Sequence, residues 1–332
     1  MPDSQPRGLR KIREIRRRDI LLSVARVPES EKLLVGSSQG KVFEIDASQD
    51  NPRERELANH GRYVTSVRLV RGKVISGGYD GRLIWQDLEN NREIRTVEAH
   101  SRWIRHIAVS PDQTKIASVA DDMVCRIWNS QTGEEIRALR GHPAKTPTHF
   151  DSMLYTCEFS QDGRFLATAD RVGKVIVWEV SSGDQKATLD ASGLYTWDGR
   201  QRIRSIGGAR SLAFSPDGNH LAVGGVGRIG NVDSIAGKSR IEVFDWKRGE
   251  RAYLLEGNNG MINRLEYHPQ NNWICGLGGR ANGIALFGNP QARSRGLQNN
   301  LPMHIHDAVF NDNHSKFYAV GHQRVVVYEL QG

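Results

Sequence analysis

The sequence predicts an all-β fold assembled from one four-strand unit used repeatedly. Short β-branched runs alternate with turn residues along nearly the whole chain. A phrase closing one segment, "EIRTVEAH" (93–100), returns as "EIRALRGH" (135–142), a spacing of about forty residues that marks a structural repeat. A third version, "KIREIRRRD" (11–19), stands at the start with no segment before it.

The third copy spells the unit most fully, "HIAVSPDQTKIASVADDMVCRIWNSQTGEEIRALRGH". Here "HIAVS", "KIASVA", "VCRIWN" and "EIRALR" are short and bounded by Asp, Gly and Ser turns, so they read as four antiparallel strands. "CEFSQDGRFLATADRVGKVIVWEVSSGDQKATLD" and "LAFSPDGNHLAVGG…SRIEVFDWKRGERAYLLEG" follow the same plan. Third-strand endings occur at "KVFEID" (41–46), "RLIWQD" (82–87), "CRIWN" (125–129), "KVIVWE" (174–179), "RIEVFD" (240–245), "GIALFG" (283–288) and "RVVVYE" (324–329). The last lies at the C-terminal end, where its unit has no outer strand.

"CRIWN", "VIVWEV" (175–180), "GH" (141–142) and "FSPDG" (214–218) resemble the WD-repeat (Trp-Asp repeat) family of β-propellers over almost the entire chain. The resemblance implies a seven-bladed β-propeller of four-stranded antiparallel blades around a central channel, one domain over 1–332. It also implies that the N-terminal strand closes the last blade, with residues 9–16 as the outer strand of blade 7. Charged residues on such an edge strand also discourage edge-to-edge association. The family's structural tetrad falls on His100, Ser118, Asp122 and Trp128. Its groups satisfy one another inside a blade, so it is not a hydrolytic triad. The second copy keeps His60, Ser76 and Asp80 but has Gln86 in the Trp slot and Trp85 one place early, which predicts a weaker network. The first, fifth and sixth copies lack most of the tetrad, and the seventh has His322 where Asp is usual.

Charge is local. The net is +8, of which residues 1–18 carry +5 and residues 191–211 carry +3, so the remainder of the chain is balanced. No apolar run approaches the roughly 20 residues of a membrane span. The N-terminus lacks the apolar core of a secretory signal. Cys125, Cys157 and Cys275 are far apart in apolar or alternating stretches, which predicts buried reduced thiols. The expectation is a cytoplasmic protein without membrane contact.

Nothing in the sequence assembles a catalytic site. "MHIHD" (303–307) places His304 and His306 on one strand face beside Asp307, but with no third ligand at useful spacing the pair reads as rim or channel lining, and no metal is expected. "GGVGRIG" (224–230) leads into no helix and is not a dinucleotide loop. No cofactor and no small-molecule substrate are expected.

What stands out is where the chain exceeds the minimal repeat, at 143–154, 191–209 and 227–238. In the implied strand order these connections emerge on one face of neighbouring blades 4 and 5. The middle one joins Tyr195 and Trp197 to Arg200, Arg202 and Arg204, a mixture suited to a recognition hot spot. With His149 and Arg228 from its neighbours, these residues are the expected partner-binding set. The reading is a non-catalytic protein–protein interaction scaffold or adaptor whose partner carries an acidic segment, with this chain as a subunit of a larger complex. The alternative is nucleic-acid binding through the basic, aromatic loop 191–211.

Overall fold

The structure is a computed structural model and describes residues 5–200, 204–230 and 236–332. Strands β1 (Gly8–Arg26), β2 (Lys32–Ser37), β3 (Lys41–Asp46) and β4 (Arg55–Asn59) open the chain. Next come β5 (Val64–Val70), β6 (Lys73–Gly78), β7 (Arg82–Asp87) and β8 (Arg92–Glu98), then β9 (Ile104–Val109), β10 (Lys115–Ala120), β11 (Cys125–Asn129) and β12 (Glu135–Leu139). The following sheet holds β13 (Leu154–Phe159), β14 (Phe165–Asp170), β15 (Lys174–Glu179) and β16 (Gln185–Asp190). After a single 3-10 turn at Ser192–Leu194, β17 (Tyr195–Asp198) and β18 (Arg204–Gly207) form a separate hairpin. The chain continues through β19 (Ser211–Phe214), β20 (His220–Val226), β21 (Lys238–Asp245) and β22 (Glu250–Asn259). Then follow β23 (Met261–Tyr267), β24 (Ile274–Gly279), β25 (Gly283–Asn289) and β26 (Ser294–Leu301), and the last strands are β27 (Ile305–Phe310) and β28 (Lys316–Gln331).

Among the described residues the strands make five four-stranded antiparallel sheets, the two-stranded hairpin, and one six-stranded sheet ordered β27-β28-β1-β2-β3-β4. Two long strands create the six-stranded sheet. The first part of β1 pairs with β28, Gly8 opposite Gln331 through Arg16 opposite Arg324, and its second part pairs with β2 from Leu21 to Arg26. β28 pairs with β27 through Phe317–Gly321, takes a left-handed residue at Gln323 (φ 59°), and returns so that Leu330 N–H donates to Ser315 O at 2.8 Å.

Strand contacts run round in chain order, β1 to β5, β9, β13, β19, β23 and β27, and β27 returns to β1. This closed ring of antiparallel sheets, four-stranded except for the six-stranded one, is a β-propeller. Burial follows position: central strands such as β15 are buried along most of their length, while the fourth strands β8 and β12 keep mostly exposed or half-buried residues. Apolar cores lie between neighbouring blades. One joins Ala117, Val119 and Ile127 of one blade to Cys157, Leu166 and Ile176 of the next and excludes water from both faces.

Because each blade is antiparallel in chain order, connections alternate between two faces. Those from first to second and from third to fourth strand make the lower face. Those from second to third strand, and from a fourth strand to the next blade, make the upper face. The tight third-to-fourth turns need a left-handed residue, supplied by Gly133 (φ 71°), Gly183 (φ 83°) and Gly249 (φ 72°) but by Asn91 (φ 49°) in the β5–β8 blade.

Candidate interaction face

Beneath the upper face, buried imidazoles pin the connections. In the β9–β12 blade His100 Nδ1–H donates to the Asp122 carboxylate at 3.1 Å. Its Nε2 takes the Ser118 hydroxyl at 2.7 Å, and the Trp128 indole N–H donates to that same oxygen at 2.9 Å. Burial pushes His100 below its ordinary value. Burial works to raise Asp122, but the His100 imidazole and the Val124 N–H hold it down at about 2. Ser118 is fully buried, so this Ser-His-Asp arrangement presents no nucleophile to a substrate.

The β13–β16 blade carries an equivalent network that the sequence reading passed over. His142 bonds Asp170 at 2.9 Å and Thr168 at 2.8 Å, and the Trp178 indole donates to Thr168 Oγ1 at 2.8 Å. The signal was the "GH" at 141–142, obscured by a Thr in the Ser position. In the β5–β8 blade His60 bonds Asp80 and Ser76, but Gln86 turns to Asn91 and the Trp85 indole donates to Ser130 O of the next blade at 2.9 Å. The misplaced Trp therefore ties two blades together. The β19–β22 blade uses another device, a buried Glu242 held by Arg240 at 2.8 Å and Arg251 at 3.1 Å.

His304, His306 and His322 come together, with ring centroids 4.8, 5.7 and 5.1 Å apart. The fold supplies the third imidazole that local spacing could not. His304 Nε2 accepts the Asn263 amide at 3.0 Å, His306 and His322 stack, and among the described residues no set of three His, Cys, Asp or Glu side chains can hold a metal ion. The three cysteines are unpaired and buried.

The long connections at 143–154, 191–209 and 227–238 touch one another on the upper face. Phe150 of the first packs on Trp197 of the second at 5.1 Å, and Ile229 of the third donates its N–H to Thr196 Oγ1 at 3.0 Å. Arg171 spans two of them, donating to Asp151 O at 3.2 Å and Ser205 Oγ at 2.7 Å. Ile229 packs with Val226, Met261 and Ile206 beneath this joint.

Tyr195 and Trp197 are half-buried on β17, and the Tyr195 hydroxyl is buried with no hydrogen-bond partner. Arg200 and Arg204 are exposed at the hairpin, Asp198 and Arg204 facing each other across the ladder. His149 is exposed in a left-handed turn (φ 67°), and Arg228 is exposed on the third connection. Arg202 lies outside the described residues. Further cations, Arg62, Arg102, Arg140 and Arg280, are exposed on the same face.

Repeated four-stranded blades, with His–Asp ties under one face, define a repeat-built β-propeller. A family model described as "WD domain, G-beta repeat" matches residues 91–129, 133–179 and 195–229, so the chain contains repeats of the WD type over these segments. It is 29% identical over 154 residues to apoptotic protease-activating factor 1 of Rattus norvegicus, covering 46% of this chain and 12% of that protein. It is 27% identical over 202 residues to the U3 small nucleolar RNA-associated protein 21 homolog of Schizosaccharomyces pombe, covering 59% and 20%. With protein transport protein sec13 of Aspergillus oryzae it shares 31% over 114 residues, covering 32% and 37%. The chain thus spans well under half of each of these relatives. Among the described residues no helix is long and apolar enough to cross a membrane.

Proposed function

We propose that this chain is a seven-bladed propeller acting as a non-catalytic protein-interaction scaffold, a subunit of a larger assembly whose partner docks an acidic segment on the upper face around β13–β22. The blade count rests on the two long strands. Splitting β28 at Gln323 and β1 between Arg16 and Ile20 resolves the six-stranded sheet into two four-stranded blades, and makes Gly8–Arg16 the outer strand that closes the ring. Such a closure ties the two ends of the described chain together, where a repeat array would otherwise expose an edge.

The contact between the three long connections is the observation that carries the interaction reading. Loops that brace one another on a rigid ring present a fixed surface, which lowers the ordering cost of binding. Aromatic rings beside exposed arginines are the residue types that dominate interface energetics. The basic patch favours acidic partners through steering as well as contact. Three buried unpaired thiols suit a reducing compartment, and we take the site of action to be the cytoplasm.

Affinity purification tests this with the intact chain and a Trp197→Ala, Arg200→Glu, Arg228→Glu variant, each with and without nuclease. The expected result is a protein partner that survives nuclease and is lost from the still-folded variant. The RNA in one relative's name and the exposed arginines give the nucleic-acid reading its claim, and nuclease emptying the intact sample would establish it instead. Identical partners for both forms would reduce the insertions to a cap.

A further inference from the structure

Five large apolar side chains are exposed among the described residues: Ile12, Tyr63, Trp103, Ile136 and Phe150. Ile12 and Ile136 sit on the outer strand segments β1 and β12. The other three all lie on fourth-strand-to-next-blade connections of the upper face. Tyr63 (44% exposed) and Trp103 (43%) belong to one structure. Tyr63 stacks on Tyr79 at 5.2 Å, and Tyr79 stacks on Trp103 at 4.1 Å with planes only 6° apart.

The row is fixed from below. Arg105 holds Asp121 through two bonds of 2.7 Å, donates to the Tyr79 hydroxyl at 2.9 Å, and lies 5.2 and 5.3 Å from the Tyr79 and Trp103 ring centres. It also reaches Met153 Sδ at 3.6 Å. Beside the rings opens a cavity of about 370 Å³, walled by Tyr79, Trp103 and Met153, with the Asp80 and Asp121 carboxylates, paired to Arg82 and Arg105, in its lining and Ser101 and Arg102 at its rim. Each exposed ring follows an exposed arginine, Arg62 before Tyr63 and Arg102 before Trp103. Among the described residues Arg102 is engaged only by a long contact to Asp151, 3.4 Å between two exposed side chains, which a ligand carboxylate can replace at little cost.

From this geometry we propose a second docking groove, formed by the β5–β8 and β9–β12 blades, for an extended peptide that sets one large apolar side chain between acidic residues. The apolar side chain fills the cavity against Trp103, Tyr79 and Met153, and the flanking carboxylates meet Arg62 and Arg102. Exposed aromatic surface kept rigid by a buried ion pair is surface prepared for burial by a partner. A nucleic-acid strand fits less well. Tyr79 is already covered by Tyr63 and Trp103, so a base could stack only on the outer rings, where its phosphate would lie beside the Asp80 and Asp121 carboxylates of the cavity lining, and Arg105 is committed to Asp121. Aromatic stacking and free phosphate-binding cations are what single strands require. The groove rests on the interaction reading above only in taking the chain to bind a protein; its rings and arginines are separate from the β17–β18 patch, and only Met153 is shared with the 143–154 connection.

The test is selection of a phage-displayed random peptide library on the immobilised full chain, followed by fluorescence polarisation of the enriched peptides against wild type, Trp103→Ala, Arg62→Glu/Arg102→Glu and Trp197→Ala. All substituted residues reach the surface, and unchanged melting confirms folding of each variant. The expected peptides place Phe, Trp or Leu next to Asp or Glu. Their affinity should fall at least about tenfold with Trp103→Ala and with the double arginine variant, the scale of a hot-spot loss, and hold within about twofold with Trp197→Ala. Enriched peptides without acidic residues, binding indifferent to Trp103→Ala, or no enrichment at all would overturn the groove. So would oligo-uridine binding that depends on Trp103 while the peptides do not. Peptides that respond to Trp197→Ala alone would overturn the groove and leave the insertion patch standing; peptides that respond to Trp103→Ala alone support the groove whatever becomes of that patch.

Discussion

The lower and upper faces of the propeller serve the same connecting task with different chemistry. On the lower face one turn is used again and again. Ser110 donates to Asp112 at 2.6 Å, Ser160 to Asp162 at 2.6 Å and Ser215 to Asp217 at 2.5 Å. In each case the same carboxylate oxygen also accepts a backbone N–H two residues on. Each turn satisfies its own polar groups and leaves only a solvated acid outside. On the upper face the fixed part lies beneath the surface, in the His–Asp ties, and the connections above vary from the single residue Gly260 between β22 and β23 to the long insertion carrying the β17–β18 hairpin. Repetition therefore marks residues that close local hydrogen bonds, and departure from it marks residues left over for recognition.

Removing an upper-face tie should cost the fold most. Asp170 is fully buried and takes bonds from His142 at 2.9 Å, Val172 N–H at 3.0 Å and Lys174 N–H at 2.9 Å. Asp170→Ala strands all three donors in a dry site, and the expected destabilisation is about 3–5 kcal/mol, read by chemical denaturation. Hydrogen exchange should show the Asp170–Lys174 turn and the His142 connection opening together. A loss below about 1 kcal/mol would mean that apolar packing, not the tie, holds this connection down.

Acid sharpens the same contrast. Burial pushes His100 and His304 below the ordinary value of 6.5 and His106 well below it, and burial with the neighbouring His304 and His322 takes His306 down to about 3. An unfolded chain takes up protons that these folded imidazoles refuse. Their contribution is complete above pH 6.5 and declines as pH falls, by about 1.4 kcal/mol per pH unit for each histidine that stays neutral. Glu158 works in the opposite sense. Burial raises it to about 7, so the folded state gains relative stability as pH falls from there toward 4.5. The histidines outnumber it, and melting temperature should drop between about pH 6.5 and about pH 5. The lower-face carboxylate Asp112, held at about 2 chiefly by the Ser110 hydroxyl, loses its contribution only below about pH 4. A flat profile down to that point would show the imidazoles to be solvated.

How much of this was legible in the sequence follows the same division. The repeat, its strands and the His100–Ser118–Asp122–Trp128 set are written at fixed offsets within one unit, so local reading reaches them. The β13–β16 tie was missed because Thr168 replaces the expected Ser, although its methyl and hydroxyl fit the site equally well. The three-histidine contact escaped because His322 arrives from β28 while His304 and His306 sit at the start of β27. The row Tyr63–Tyr79–Trp103 was invisible for a similar reason. Its rings come from three connections in two blades, and only the crowding of first strands around the axis stacks them. Of the expected partner-binding residues, the fold braces Trp197 against Phe150 and leaves Arg200, Arg204, His149 and Arg228 exposed around it. Insertion length located this region, since a repeat fixes where extra residues emerge even when it says nothing of their contacts.

The smallest expected effect is also the cleanest separation of the two faces. Asp162 is exposed and serves only its own turn, accepting the Ser160 hydroxyl at 2.6 Å and the Arg164 N–H at 3.0 Å. Asp162→Ala removes both bonds but leaves water free to replace them, so stability should fall by about 1 kcal/mol, well short of the Asp170→Ala loss. Because this turn lies on the opposite face from both proposed surfaces, peptide binding and partner retention should be unchanged. Retained binding with a modest drop in denaturation midpoint would assign the lower-face acids to turn formation alone. Loss of a partner with the melting temperature intact would instead make the repeated turns a recognition surface and erase the distinction between the faces.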